Sequence, residues 1–115
     1  MWVKGAHMDN IKMRAKLSGD SLSSITEVKM IMNHPMETGR KKDDFGQLIP
    51  AYFIQLVTAK LNDKIVLEMQ WGTGISKNPY LTFYLKGAAV NDKISIDWVD
   101  NLGKTGNGEI LVVAA

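Results

Sequence analysis

His34, Ser76 and Asp97 are the residue types from which a nucleophilic triad is built, and Arg40-Lys41-Lys42 is the kind of run that meets an anion. Neither pattern is carried by its spacing. Any soluble chain of this size supplies a serine, a histidine and an aspartate, and only mutual hydrogen-bond geometry makes them a triad. Apart from His7 near the N-terminus, His34 is the sole histidine. A metal centre normally needs several imidazole, thiolate or carboxylate ligands, so neither a metal nor a cofactor is expected. The plain reading of His34 is a hydrogen bond within its own loop, beside the rigid Pro35. Asp43-Asp44 follow the three cations at once and cancel most of their field, leaving a solvated loop surface. Gly72-Thr73-Gly74 lacks the lysine and helix of a phosphate loop and reads as a tight strand exit. The chain has no cysteine, which excludes thiol catalysis, disulfides and thiolate metal sites. These residues point to a binding or structural module and not to an enzyme.

They lie in two irregular segments, 33–48 and 72–79, set within a series of short strands. Over 11–17, Ile11, Met13, Ala15 and Leu17 alternate with Lys12, Arg14 and Lys16, the pattern of a half-buried strand. Gly19, Asp20 and the serines after them form a loop. A second strand over 26–32 places Val28, Met30 and Met32 on one face. Segment 33–48 is too long for a structureless connection, so it is a functional loop or conceals a short element. Pro50 suits the first residue of a strand, which then runs over 51–61. Asn62-Asp63 is a two-residue hairpin turn. The next strand, 64–71, puts Ile65, Leu67, Met69 and Trp71 on one face. Strands at 80–86 (Leu81, Phe83 and Leu85 inward) and 93–100 (Ile94, Ile96 and Trp98 inward) follow, separated by a turn over 87–92. Segment 101–108 is a loop containing Gly103, and 109–113 closes the domain.

Seven short strands without an amphipathic helix predict an all-β, immunoglobulin-like antiparallel β-sandwich; a small closed barrel is the alternative. Trp71 and Trp98 belong to its core. Met13, Met30, Met32 and Met69 fill that core, whereas Met36, in the long loop, is expected to be an exposed contact. If the chain reverses at every connection, loops 33–48, 72–79 and 101–108 gather at one pole and Asn62-Asp63 lies at the other. Loops grouped on a rigid scaffold are the usual place for recognition.

At 115 residues the chain is one domain. Residues 1–8 read as a cloning scar or a disordered N-terminus without the apolar stretch of a signal peptide, and residues 9–115 as the sandwich. The formal net charge is +2, and lysines alternate with acids, so no nucleic-acid partner is expected. No apolar run is long enough to span a membrane.

The ordered set His34-Pro35-Met36-Glu37-Thr38-Gly39, Leu48-Ile49-Pro50, Ser76-Lys77-Asn78-Pro79-Tyr80 and Trp98-Val99-Asp100-Asn101 before a glycine turn resembles the Z subunit of the Sox sulfur-oxidation carrier, over nearly all of residues 8–115. The resemblance implies a non-catalytic half of a heterodimer. Its Y partner carries thiosulfate-derived sulfur on a cysteine near the end of a glycine-rich C-terminal arm, and other Sox enzymes act on the loaded arm through transient contacts. It implies a periplasmic protein exported together with a signal-bearing partner. The C-terminal Val112-Val113-Ala114-Ala115 has no glycine-cysteine arm, so this chain is not the sulfur-bearing subunit. The partner-binding residues expected are His34, Pro35, Met36, Glu37, Asn78, Pro79 and Tyr80. Expressed alone, such a subunit is expected to form homodimers that cover its exposed apolar face. Because a fold does not fix a function, a free-standing immunoglobulin-like binding or adhesion module stands as the alternative.

Overall fold

The computed structural model describes residues 3–4, 11–18 and 24–114, with the backbone alone at Val3 and Lys4. The expectations for residues 1–8 and for the loop after Ser18 otherwise lie outside the described residues. The strands are β1 (Val3–Lys4), β2 (Ile11–Ser18), β3 (Ile25–Met32), β4 (Ile54–Leu61), β5 (Lys64–Gln70), β6 (Tyr80–Lys86), β7 (Lys93–Asp100), β8 (Thr105–Leu111) and β9 (Val113–Ala114). No helix forms among the described residues.

Two sheets face each other, ordered β1-β2-β3-β6 and β5-β4-β7-β8. Side chains alternate along β2 and β3 and inward residues recur along β4 and β7, so each sheet turns one apolar face to the other. Ile11, Met13, Ala15, Val28, Met30 and Met32 come from the first sheet, and Ile54, Val57, Ala59, Ile94, Ile96 and Trp98 from the second. Register keeps these sets in line: Val28 lies across from Ala15 on one side and Phe83 on the other. The chain crosses between sheets after β3, β5, β6 and β8, which gives the sandwich connectivity and excludes a closed barrel. Among the described residues the one parallel pairing is β9 against β2.

The Asn62-Asp63 turn forms as expected, with φ of 50° and 70°. These positive angles match the twist of the flanking strands. Asn62 is tied to the start of β7: its Oδ1 accepts the Lys93 N–H at 2.9 Å, and its own N–H donates to the Lys93 carbonyl at 2.9 Å.

Four local expectations are corrected. Ile65 does not face the core. A bulge pairs Lys60 with Ile65 but Ala59 with Leu67, so Val66 is the extra residue and side-chain parity reverses there. Ile65 is 52% exposed as a result. Trp71 is only half-buried and packs against the core from its rim. β4 starts at Ile54 rather than at residue 51, because the Asn101 side chain holds the preceding backbone. It donates through Nδ2 to the Ala51 carbonyl and accepts the Phe53 N–H, both at 2.8 Å.

The fourth correction is β8, which starts at Thr105 where a loop was expected up to residue 108. Glycines weaken a strand unless another group needs their space. Gly106 lies directly across from Trp98, and the Trp98 indole occupies the position that a Cβ on Gly106 would take. The missing side chain is what lets the indole lie flat within the sandwich.

Gly106→Ala is therefore expected to destabilise the domain by about 1–3 kcal/mol through overpacking. Gly72→Ala, where an added Cβ meets nothing within 4 Å, should leave stability unchanged or slightly raised. Urea denaturation of both variants checks the contrast.

Candidate functional site

Three connections meet at one end of the sandwich, and side chains weld them together. The segment after β3 and the segment before β6 clasp each other. Asn78 Oδ1 accepts the His34 N–H at 3.0 Å, while the Asn78 N–H donates to the His34 carbonyl at 2.9 Å. The Met32 N–H donates to the Pro79 carbonyl, also at 2.9 Å. Asn78 adopts φ +53°, a left-handed conformation that asparagine tolerates better than most residues.

His34 then shapes its own loop. Its Nδ1 accepts the Met36 N–H at 3.0 Å. Only an unprotonated Nδ1 can do so, hence the neutral ring carries its proton on Nε2. The turn forces Met36 to φ +48°, at a cost of about 1 kcal/mol. It also sends the thioether inward, where Sδ accepts the Ile54 N–H at 3.4 Å. Met36 is thus 4% exposed and part of the core, which overturns the expectation of an exposed contact.

The third connection is held by Asp100. Its Oδ1 accepts the N–H groups of Leu102 and Lys104, both at 2.9 Å. The turn closes with Gly103 at φ +81°. Asp100 Oδ2 lies 3.9 Å from His34 Nε2, too far for a hydrogen bond but close enough for electrostatic contact. Both atoms are buried and neither has a hydrogen-bond partner. Burial lowers the His34 pKa below its ordinary value of 6.5, with Asp100 opposing the shift and not overcoming it. The imidazole is also packed between aromatic rings, 4.5 Å from Tyr52 and edge-on to Trp98 at 5.7 Å. Lys104 Nζ stands 5.7 Å from the Tyr52 ring on the solvent side.

The long connection conceals an element, as its length suggested. It runs out and back as an interrupted ribbon, with isolated antiparallel bridges Glu37–Tyr52 and Lys42–Leu48. An excursion that leaves and returns keeps strand parity, so the three connections still share a pole. Asn62-Asp63 lies at the other end of β4.

The residues singled out from sequence therefore meet, but in unequal roles. His34, Met36 and Pro79 are buried, Glu37 is half-buried in its bridge, and Pro35, Asn78 and Tyr80 are exposed. Arg40, Lys41 and Lys42 are exposed along the ribbon. The paper triad does not assemble. Asp97 faces outward, where it pairs with Lys60 at 3.4 Å and accepts from Asn107 at 3.1 Å. The carboxylate beside His34 is that of Asp100, and the imidazole is 2% exposed with Nδ1 already engaged. Such a ring braces loops; it does not reach a substrate. Among the described residues, no group of three or more His, Cys, Asp or Glu side chains is placed to hold a metal ion.

Asp100, Asn101 and Tyr52 are the contributors not assigned a role from sequence. One signal for Asp100 was available: continuing the inward phase of Ile94, Ile96 and Trp98 by two residues places a carboxylate inside the sandwich.

The family model described as sulphur oxidation protein SoxZ matches residues 11–110. The chain belongs to the SoxZ family. The match takes in every strand from β2 to β7 and all three connections at the pole. No curated protein matches the chain.

Since the folded state disfavours protonation of His34, the unfolded chain takes up that proton first as pH falls. The stability linked to His34 is complete above pH 6.5 and is lost as pH drops from there through the lowered folded value. Protonation at Nδ1 also breaks the Met36 N–H bond. In His34→Asn, the amide oxygen can accept from Met36 but does not titrate. That variant should be less stable than the parent at pH 7.5 by about 1–3 kcal/mol, with a flatter dependence between pH 7 and 5. Urea midpoints across that range check the difference.

Proposed function

We propose that this SoxZ-family chain is the non-catalytic half of a heterodimeric sulfur carrier acting in the periplasm. Its Y partner bears the cysteine arm on which sulfur intermediates travel. The observation that carries this reading is the absence of cysteine in a member of a sulfur-oxidation family. Covalent sulfur carriage by persulfide or thiosulfonate needs a thiol, so the acceptor must be on another chain. The sole histidine of the sandwich is buried and committed to its loop, which agrees with a supporting role. The braced pole supports it further: three connections locked to each other offer a partner a preorganised surface at little ordering cost. Pro35, Asn78 and Tyr80 are its exposed members, and Tyr80 at 56% exposure is the aromatic anchor facing the partner's arm or an enzyme that services it. Beyond Tyr80, the β6 edge strand presents Tyr84 at 63% exposure, and tyrosines of this kind are enriched in protein interfaces.

Co-expression with a Y-family subunit should give a one-to-one complex that survives moderate salt. After turnover with thiosulfate, mass spectrometry should place the added sulfur mass on the partner and none on this chain. Tyr80→Ala should slow sulfur oxidation by the reconstituted system while the domain stays folded. Failure to co-purify would favour the free-standing binding module, and an adduct on this chain would refute the division of labour.

A further inference from the structure

The two outer faces of the sandwich differ in charge. On β2, Ile11, Met13 and Ala15 point into the core, so Lys12, Arg14 and Lys16 line the opposite side. Register brings Lys29 of β3 and Lys86 of β6 to that same side, together with Glu27. Five cations against one carboxylate give this face a formal +4, whereas the whole chain carries +2; the remaining residues therefore sum to −2. On the outer face of the other sheet, Lys60 and Lys93 stand among Glu68, Asp97 and Glu109. Both of those lysines are paired, Lys60 with Asp97 at 3.4 Å and Lys93 with Asp63 at 2.8 Å. Among the described residues, Lys12, Lys16 and Lys86 have no such ion pair.

Packing does not call for this segregation, since any polar side chain would serve on a solvated face. The segregation also costs stability. Arg14 lies directly across from Lys29, and like charges opposite each other destabilise a sheet. Glu27, 3.6 Å from Lys29 Nζ, offsets part of that repulsion. An aromatic rim borders the cations on the β6 side. Tyr84, 63% exposed, lies across from Glu27 and donates its hydroxyl to Glu27 Oε2 at 3.4 Å. Tyr80 lies across from Ile31 in the same manner.

We propose that this face binds an acidic polypeptide surface, one that presents carboxylates at alternate positions of an extended strand. Lys12, Arg14 and Lys16 are alternate residues of β2, so their cations repeat about every 7 Å, the spacing at which such carboxylates recur. Complementary charge steers the encounter and fixes its register. Tyr84 adds an amphipathic ring of the kind enriched where proteins meet. A phosphate polymer fits less well, because Glu27 keeps a negative charge inside the face. The surface is the side of a sheet and not the braced pole, and the inference does not rest on the carrier reading.

The test is fluorescence anisotropy of the full chain with a labelled peptide that alternates glutamate and threonine. The parent should bind this peptide, more weakly as salt rises, and should not bind the same peptide with glutamine in place of glutamate. Lys12→Gln combined with Lys16→Gln should weaken binding by about fivefold or more. Arg40→Gln combined with Lys41→Gln removes the same charge from the exposed ribbon and should change binding by less than about twofold. Circular dichroism verifies that both double variants fold. Oligothymidylate and phosphatidylglycerol vesicles then compete for the bound peptide, and both should need a higher charge concentration than unlabelled peptide does. Absence of binding, binding unmoved by salt, or equal losses in the two double variants would each overturn the proposal. So would displacement by oligothymidylate or by vesicles at the lower charge concentration, which would assign the face to a nucleic acid or to a lipid surface instead.

Discussion

The hydrogen bond from the Met36 N–H to His34 Nδ1 is the fastening on which the irregular part of this molecule depends. A sandwich holds its strands through apolar burial and ladder hydrogen bonds, but the turn at His34-Pro35-Met36 lies outside every strand. There a neutral imidazole does that work. Its backbone is bonded to Asn78 in both directions, its Nδ1 sets the turn at Met36, its Nε2 faces Asp100, and its ring packs against Tyr52 and Trp98. The turn at Met36 in turn delivers a sulfur acceptor to the first N–H of β4. A residue type normally read as chemistry is here the point through which three loops share one geometry.

That geometry reaches into the sandwich through Trp98. Its indole lies 5.7 Å from His34 at the pole and over Gly106 in β8. Asp100, two residues further on, closes the next turn through the Leu102 and Lys104 N–H groups, and Asn101 ties the same turn to the start of β4. The segment Trp98-Val99-Asp100-Asn101 accordingly serves the core, the turn and the neighbouring strand at once. This is a physical reason for these residue types to occur together, apart from any contact with a partner.

Strands were the legible part of the sequence, because period-two alternation is enforced at each of them by the same buried interface: Ile11 to Leu17, Val28 to Met32 and Ile94 to Trp98 all read directly. Asn62-Asp63 read directly too, since few residue pairs accept two successive positive φ angles. The convergence of three loops followed from strand parity. Features set by a single tertiary contact were not legible. The bulge at Val66 reverses Ile65 without any local signal. β8 looked like a loop because its glycines make sense only with the Trp98 indole in place. Met36 looked exposed because nothing in its neighbours announces that a histidine nitrogen will turn it inward. Asp100 lay within reach of the alternation argument, since it continues the inward phase of Ile94, Ile96 and Trp98.

Function follows from the same division. The proposed role asks this chain for shape, and the shape on the page is a braced pole. Native-state amide exchange measures that bracing most directly. The amides of Met36, Phe53 and Lys104 are each accepted by a side chain of this network. They should exchange as slowly as strand amides such as those of Val57 and Ile96, despite lying outside every strand. Exchange as fast as that of the exposed Gly74 amide would show that the three connections move independently, and would contradict the account.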